Sequence, residues 1–186
     1  MLRKIDKNLL VLCVGLIIGG GLGLFSNLLL HENGSMDGSR SLGVFENGVG
    51  SPAVYFNLEA ASGKPIQLSD MEGRPVLVNF WATWCGPCQV EMPLLQEYYE
   101  RYNPKLEVLA INYDESIGEI QPYVKKLGLT FPVLLDPGGK TADLYQVIGF
   151  PTSFFIDRDG FVRGVYVGIL SKKVIDENLK KIGVGE

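Results

Sequence analysis

Residues 75–81 read Pro75-Val76-Leu77-Val78-Asn79-Phe80-Trp81, a nearly continuous apolar run. Cys85 and Cys88 follow almost at once, and helix-forming sequence follows them. No other stretch constrains the fold as strongly. A run without polar alternation suits a central strand covered on both faces, so the chain must place layers on either side of a sheet. The cysteines fall where that strand gives way to a helix. A helix N-terminus carries partial positive charge and unpaired N–H groups. A cysteine there has its thiolate stabilised and becomes nucleophilic near neutral pH. A second cysteine with two residues between can reach back and close a disulfide. The implied chemistry is reversible thiol–disulfide exchange.

The 186 residues, 46% of them hydrophobic, suffice for one packed domain with an appendage. A net charge of −4 leaves no basic footprint for nucleic acid. Charge is unevenly spread. The first thirty residues carry Arg3, Lys4 and Lys7 against Asp6; the remainder carries fourteen basic against twenty acidic side chains. A small positive leader before an acidic body points to export. Three cysteines, Cys13, Cys85 and Cys88, exclude a disulfide scaffold. One Cys-x-x-Cys without a second Cys or His pair cannot complete a four-ligand zinc site, so no metal is expected. The single histidine, His31, lies far from the pair, and Gln89 after Cys88 excludes a Cys-x-x-Cys-His haem attachment.

Residues 8–30 carry no charge. At ~1.5 Å per residue, about 22 helical residues reach roughly 33 Å, enough to cross a hydrocarbon core of ~30 Å. Basic residues precede the segment, which predicts the N-terminus inside and the body outside. Leu28-Leu29-Leu30-His31 offers no small-x-small cleavage site, so an uncleaved anchor is expected over 1–30. Bulky Leu12 before Cys13 argues against a lipid-modified cysteine. Gly15, Gly19 and Gly23 form a small-xxx-small face able to pair helices in a membrane. Residues 31–51 are rich in Gly, Ser and Asn and read as a flexible tether with a reach near ~25 Å.

The globular domain is expected over 52–186. Val54–Leu58 and Ile66–Leu68 read as strands of a hairpin around Ser62-Gly63-Lys64, and Ser69–Gly73 as a turn. The helix after the cysteines runs to about Tyr102, with a kink at Pro93. Leu106–Asn112 is the next strand. Ile117, Ile120, Val124 and Leu127 have helical spacing that stops at Gly128. A strand over Phe131–Leu135 and a helix over Lys140–Gln146 follow. Ser153–Asp157 and Phe161–Val167 flank an Asp-Gly hairpin turn, and Ser171 caps a last helix. The pattern predicts a mixed α/β sheet with helices on both faces.

Phe80-Trp81-Ala82-Thr83-Trp84-Cys85-Gly86-Pro87-Cys88 resembles the thioredoxin superfamily. Asn79 before it, Glu91-Met92-Pro93 after it, and Gly149-Phe150-Pro151-Thr152 before an apolar strand resemble the membrane-anchored TlpA/ResA-like branch, which includes proteins of cytochrome c maturation. The resemblance covers roughly 52–184. It implies a thioredoxin-like fold with an insertion, here Ser116–Tyr145. It implies that Cys85 is the exposed attacking thiol and Cys88 the buried resolving one. It implies that Pro151 is a cis-proline opposite the cysteines, exposing the backbone of Phe150 to an extended substrate. Trp84, Gly86, Pro87, Phe150 and Thr152 are the expected substrate contacts, while Trp81 suits core or surface equally.

Two departures bear on mechanism. Thioredoxins proper carry a buried aspartate where this chain has Asn79, which cannot take a proton. Glu91, three residues after Cys88, faces roughly the same side of the helix and is the expected proton acceptor. The Gly86-Pro87 dipeptide matches thioredoxins themselves and suggests a reducing poise. The resulting expectation is a single-pass protein of the bacterial cytoplasmic membrane with its catalytic domain outside. It reduces protein disulfides such as those of apocytochrome c and is itself re-reduced by a membrane thiol-electron transporter. No cofactor beyond the dithiol is expected. The same residues would oxidise partners if Cys85 were unusually acidic. A peroxiredoxin-type peroxidase fits poorly, because those sites place a threonine three residues before the cysteine, and Thr83 is two before Cys85. A copper-binding assembly factor fits poorly too, since it needs a Cys-x-x-x-Cys pair and a nearby histidine.

Overall fold

The structure, a computed structural model, describes residues 48–185. The expected membrane segment, Cys13, the glycine face, His31 and most of the tether lie outside the described residues. Among the described residues no helix is long and apolar enough to cross a membrane.

Strands β1 (Asn57–Glu59) and β2 (Pro65–Gln67) form an antiparallel hairpin. β3 (Val76–Trp81) leads into α1 (Gly86–Tyr102), and β4 (Glu107–Tyr113) into α2 (Ile117–Leu127). β5 (Val133–Asp136), α3 (Lys140–Leu144), β6 (Thr152–Ile156), β7 (Val162–Val167) and α4 (Lys172–Lys181) complete the chain. The main sheet has the order β5-β4-β3-β6-β7. β3 pairs parallel with β4 and antiparallel with β6, so the strand before the cysteines is central.

All six residues of β3 are buried, as an apolar run without alternation requires. Side chains still alternate between faces. Leu77 and Trp81 enter a core with Met92 and Leu95 of α1 and Ile175 and Leu179 of α4. Val76, Val78 and Phe80 enter a second core with Phe56, Ala142 and Tyr145. Asn79, between Leu77 and Trp81, therefore points to the α1 side.

Several boundaries differ from the sequence reading. Residues 54–56 precede β1, and Leu68–Met71 form a short 3-10 helix where a turn was expected. β5 starts after Pro132, whose carbonyl accepts the N–H of Ala110. α3 stops at Leu144, because Gln146 takes a left-handed φ of 54° that no helix continues. α1 continues through Pro93 as one 17-residue helix. Backbone pairing is already present before Pro52: the Val162 carbonyl accepts the Gly50 N–H, and the Val162 N–H donates to Ser51. The segment Ser116–Tyr145, expected as the insertion, holds α2, the edge strand β5 of the main sheet and α3.

Candidate active site

Cys85 is the N-cap of α1, and its Sγ accepts the N–H of Cys88 at 3.2 Å. Pro87 occupies the first turn, where a missing N–H costs nothing. The two cysteines are joined as a disulfide with their Cα atoms 5.3 Å apart. Cys88 is fully buried and Cys85 keeps 5% of its surface. The order of accessibility follows the expectation, but Cys85 is far from open, which corrects the picture of an exposed thiol. In the bonded state its sulfur is joined to Cys88, and Cys85 lines the same groove as Trp84 and Phe150.

Phe150–Pro151 is a cis peptide. Trp84, 65% exposed, meets Phe150 edge-on at 5.8 Å, and Phe150 packs on Tyr113 at 5.0 Å. With Cys85, Gly86 and Pro87 these rings line a groove of about 620 Å³. Asp143 is the one charged side chain in that lining, and no cation joins it. Trp81 resolves to the core, fully buried against Tyr123. Thr152 does not line the groove. It is 2% exposed and donates its hydroxyl to the Gly149 carbonyl at 2.7 Å, shaping the 149–151 loop from behind.

Glu91 is 1% exposed. Its Oε1 accepts from Asn79 Nδ2 at 2.7 Å and its Oε2 from the Leu170 N–H at 2.9 Å. Burial disfavours the carboxylate more than these two bonds favour it, and the pKa is pushed up to about 7. A buried acid able to exchange a proton at neutral pH thus lies one helical turn from Cys88.

Three features were not legible in the sequence. Ser153 lies opposite Asn79 in the β3–β6 ladder and accepts its second amide N–H at 3.0 Å. Leu170 contributes only a backbone group. Glu115, just after β4, accepts the Thr83 N–H at 2.6 Å and an Asn112 amide N–H at 2.7 Å, and also the Thr83 hydroxyl. It ties down the loop before Cys85. Among the described residues no group of three His, Cys, Asp or Glu side chains is placed to hold a metal ion.

A sequence profile of the AhpC/TSA family matches residues 49–165. The thiol-disulfide oxidoreductase ResA of Bacillus thuringiensis subsp. konkukian (strain 97-27) is 42% identical over 135 residues, 72% of this chain and 78% of that protein. The thioredoxin-like protein YneN of Bacillus subtilis (strain 168) is 38% identical over 133 residues, 70% of this chain and 78% of its own. Among solved structures, a thiol:disulfide interchange protein of the thioredoxin family from Chlorobium tepidum TLS superposes with TM-score 0.64 at 31% identity, covering 70% of this chain and 94% of that one. The pneumococcal exposed lipoprotein thioredoxin Etrx1 of Streptococcus pneumoniae strain TIGR4 superposes with TM-score 0.63 at 31% identity, covering 69% and 99%.

Proposed function

This chain belongs to the AhpC/TSA family and is a ResA-like thiol-disulfide oxidoreductase of thioredoxin fold, and on that premise we propose that it works as a membrane-anchored reductant of protein disulfides outside the cytoplasmic membrane. The observation that carries the mechanism is the Cys85–Cys88 pair at the tip of α1 with Glu91 buried one turn below. In the reduced enzyme, the Cys85 thiolate attacks a substrate disulfide held in the groove beside Trp84 and Phe150. One substrate sulfur leaves as a thiolate and a mixed disulfide forms. The Cys88 thiol then gives its proton to Glu91, and its thiolate attacks Cys85 Sγ. The second substrate sulfur departs, and the enzyme holds the Cys85–Cys88 disulfide. Electrons have moved from enzyme to substrate, and a membrane thiol-electron transporter restores the dithiol.

The reducing direction draws support from the groove lining. A neighbouring cation lowers the pKa of a thiol beyond what a helix N-terminus does alone. The groove lining sets one acidic side chain, Asp143, and no cation beside the helix terminus that carries Cys85. A peroxidase reading finds no support in Thr83, whose hydroxyl is turned to Glu115. Substrates such as apocytochrome c, the single N-terminal membrane helix and the outward-facing domain follow from the sequence reading. Trapping free thiols in intact cells tests the direction. A pair found mostly reduced fits a reductase, and a mostly oxidised pair refutes it. Loss of the chain from the membrane fraction on deletion of residues 1–30 is the expected result for the anchor.

A further inference from the structure

We infer that Asn79 is a positioning residue whose side-chain amide rotates to keep Glu91 hydrogen-bonded in both of its protonation states. This rests on the reading that Glu91 takes the proton of Cys88. Asn79 is fully buried in the middle of β3. Both of its amide hydrogens are used: Nδ2 donates to Glu91 Oε1 at 2.7 Å and to Ser153 Oγ at 3.0 Å. Its Oδ1 is buried and has no partner. A buried acceptor left unmade costs about 1–3 kcal/mol, so its presence beside a titrating acid calls for a use.

Both oxygens of Glu91 only accept, which suits the carboxylate. Once the carboxyl gains a proton, the new O–H needs an acceptor. Neither Nδ2 nor the Leu170 N–H can accept. Rotating the Asn79 amide by half a turn brings Oδ1 to the place Nδ2 held. An amide oxygen accepts two bonds. It can then take one from the Glu91 O–H and one from the Ser153 hydroxyl, while Nδ2 moves to the place where Oδ1 has no partner. The terminal torsion of asparagine is broad and roughly two-fold, so the motion needs no extra volume. An aspartate here would set a second negative charge against Glu91, and an apolar residue would serve neither state.

Among the described residues no other ionisable side chain is hydrogen-bonded to the pair. α1 contributes Cys88, one turn away; β3 and β6 contribute Asn79 and Ser153, which do not ionise here. The segment before α4 contributes only the Leu170 N–H. Lys172 and Lys173, at the start of α4, pair with Glu97 and Glu177 instead. The proton leaves Cys88 Sγ and ends on Glu91; Asn79 gains and loses none.

The test is the release of thionitrobenzoate from its mixed disulfide with Cys85, followed from pH 5 to 9. The full-length protein carries Cys13→Ser so that only the active pair reacts. Wild type should accelerate as Glu91 loses its proton. Asn79→Leu removes the bond made in each state, and the bond to the charged carboxylate is the stronger of the two, so the midpoint should move up by about one pH unit, with roughly a tenfold loss of rate below the wild-type midpoint. Asn79→Asp, which can donate only when protonated, should broaden the transition into two steps. In isotopically labelled wild type, the Asn79 side-chain amide resonances should shift with the same midpoint as the Glu91 carboxyl carbon. This measurement stands even if a variant folds poorly. Unchanged midpoints in both variants, or amide signals that ignore the Glu91 titration, would overturn the role of Asn79. Glu91→Gln separates the two ideas: an unaltered profile there refutes Glu91 as the proton acceptor. A lost profile there with an unmoved Asn79→Leu midpoint refutes Asn79 alone.

Discussion

At the scale of single residues, function divides between a side chain turned outward and one turned inward. Trp84 keeps 65% of its surface and meets the Phe150 ring edge-on, so its truncation costs little burial and removes a wall of the groove. Aromatic anchors at binding surfaces commonly cost about 1–2 kcal/mol or more when truncated. Trp84→Ala should therefore slow reaction with a protein disulfide by roughly tenfold. Reaction with a small aromatic disulfide should change far less, and the melting temperature hardly at all. Equal losses with both substrates would show that Trp84 acts on the cysteines and not on recognition. Glu91 is the inward counterpart, and its value lies in being costly to ionise.

At the scale of elements, the groove depends on how α3 is held. Asp136, 1% exposed at the end of β5, accepts the N–H groups of Thr141 and Ala142, both at 2.9 Å, and so caps the helix. Hydrogen bonds to a charged group are worth about 1.5–3 kcal/mol. Asp136→Ala should lower the melting temperature by roughly 5–10 °C and slow reaction with substrate, because α3 leads directly into 147–150. Gly138 and Gly139 both have left-handed backbones, with φ of 74° and 66°. A Cβ at Gly138 meets nothing within 4 Å, whereas one at Gly139 would lie 2.2 Å from the Tyr113 ring. Gly138→Ala should cost only the left-handed penalty of about 1–2 kcal/mol. Gly139→Ala adds the clash, about 1–3 kcal/mol more, and displaces the ring on which Phe150 packs. Equal costs measured by denaturant unfolding would rule out the proposed close approach of Tyr113.

For the whole molecule, the buried acid couples folding to pH. Glu91 is raised to about 7, from 4.5 in an unfolded chain, so the folded state binds this proton more tightly. Its contribution is fully present below about 4.5 and is lost as pH rises through about 7. At ~1.4 kcal/mol per pKa unit the difference comes to about 3 kcal/mol. Burial also raises Glu107, against the opposing pull of Arg74, and this adds a trend of the same sign. The oxidised protein should be more stable toward urea at pH 5 than at pH 8. Glu91→Gln should flatten most of that slope and stabilise the protein at pH 8. A slope unaffected by the substitution would mean that Glu91 is charged at neutral pH.

The sequence by itself determined the class of fold, the place of the redox pair and the order of the elements. Those features rest on local physics: a both-sides-buried strand, a helix tip that favours a thiolate, a capping Ser171 and a left-handed Gly128. Ser171 caps α4 through the Val174 N–H, and α2 spans the expected Ile117–Leu127 before Gly128 at φ 63°. Glu91 was legible as a candidate from its spacing to Cys88. The tertiary structure alone decided what its environment is. Asn79 and Ser153 are 74 residues apart in the chain, and Glu91 and Leu170 are 79 apart. The burial that moves Glu91 comes from a core to which β3, α1, β6 and α4 all contribute, with other elements. Asn103–Pro104 is also cis, and no motif singled it out. Spacing along one chain reports which residues share a face of a strand or helix. It does not report which groups meet across strands, and the proton chemistry of this site depends on those meetings.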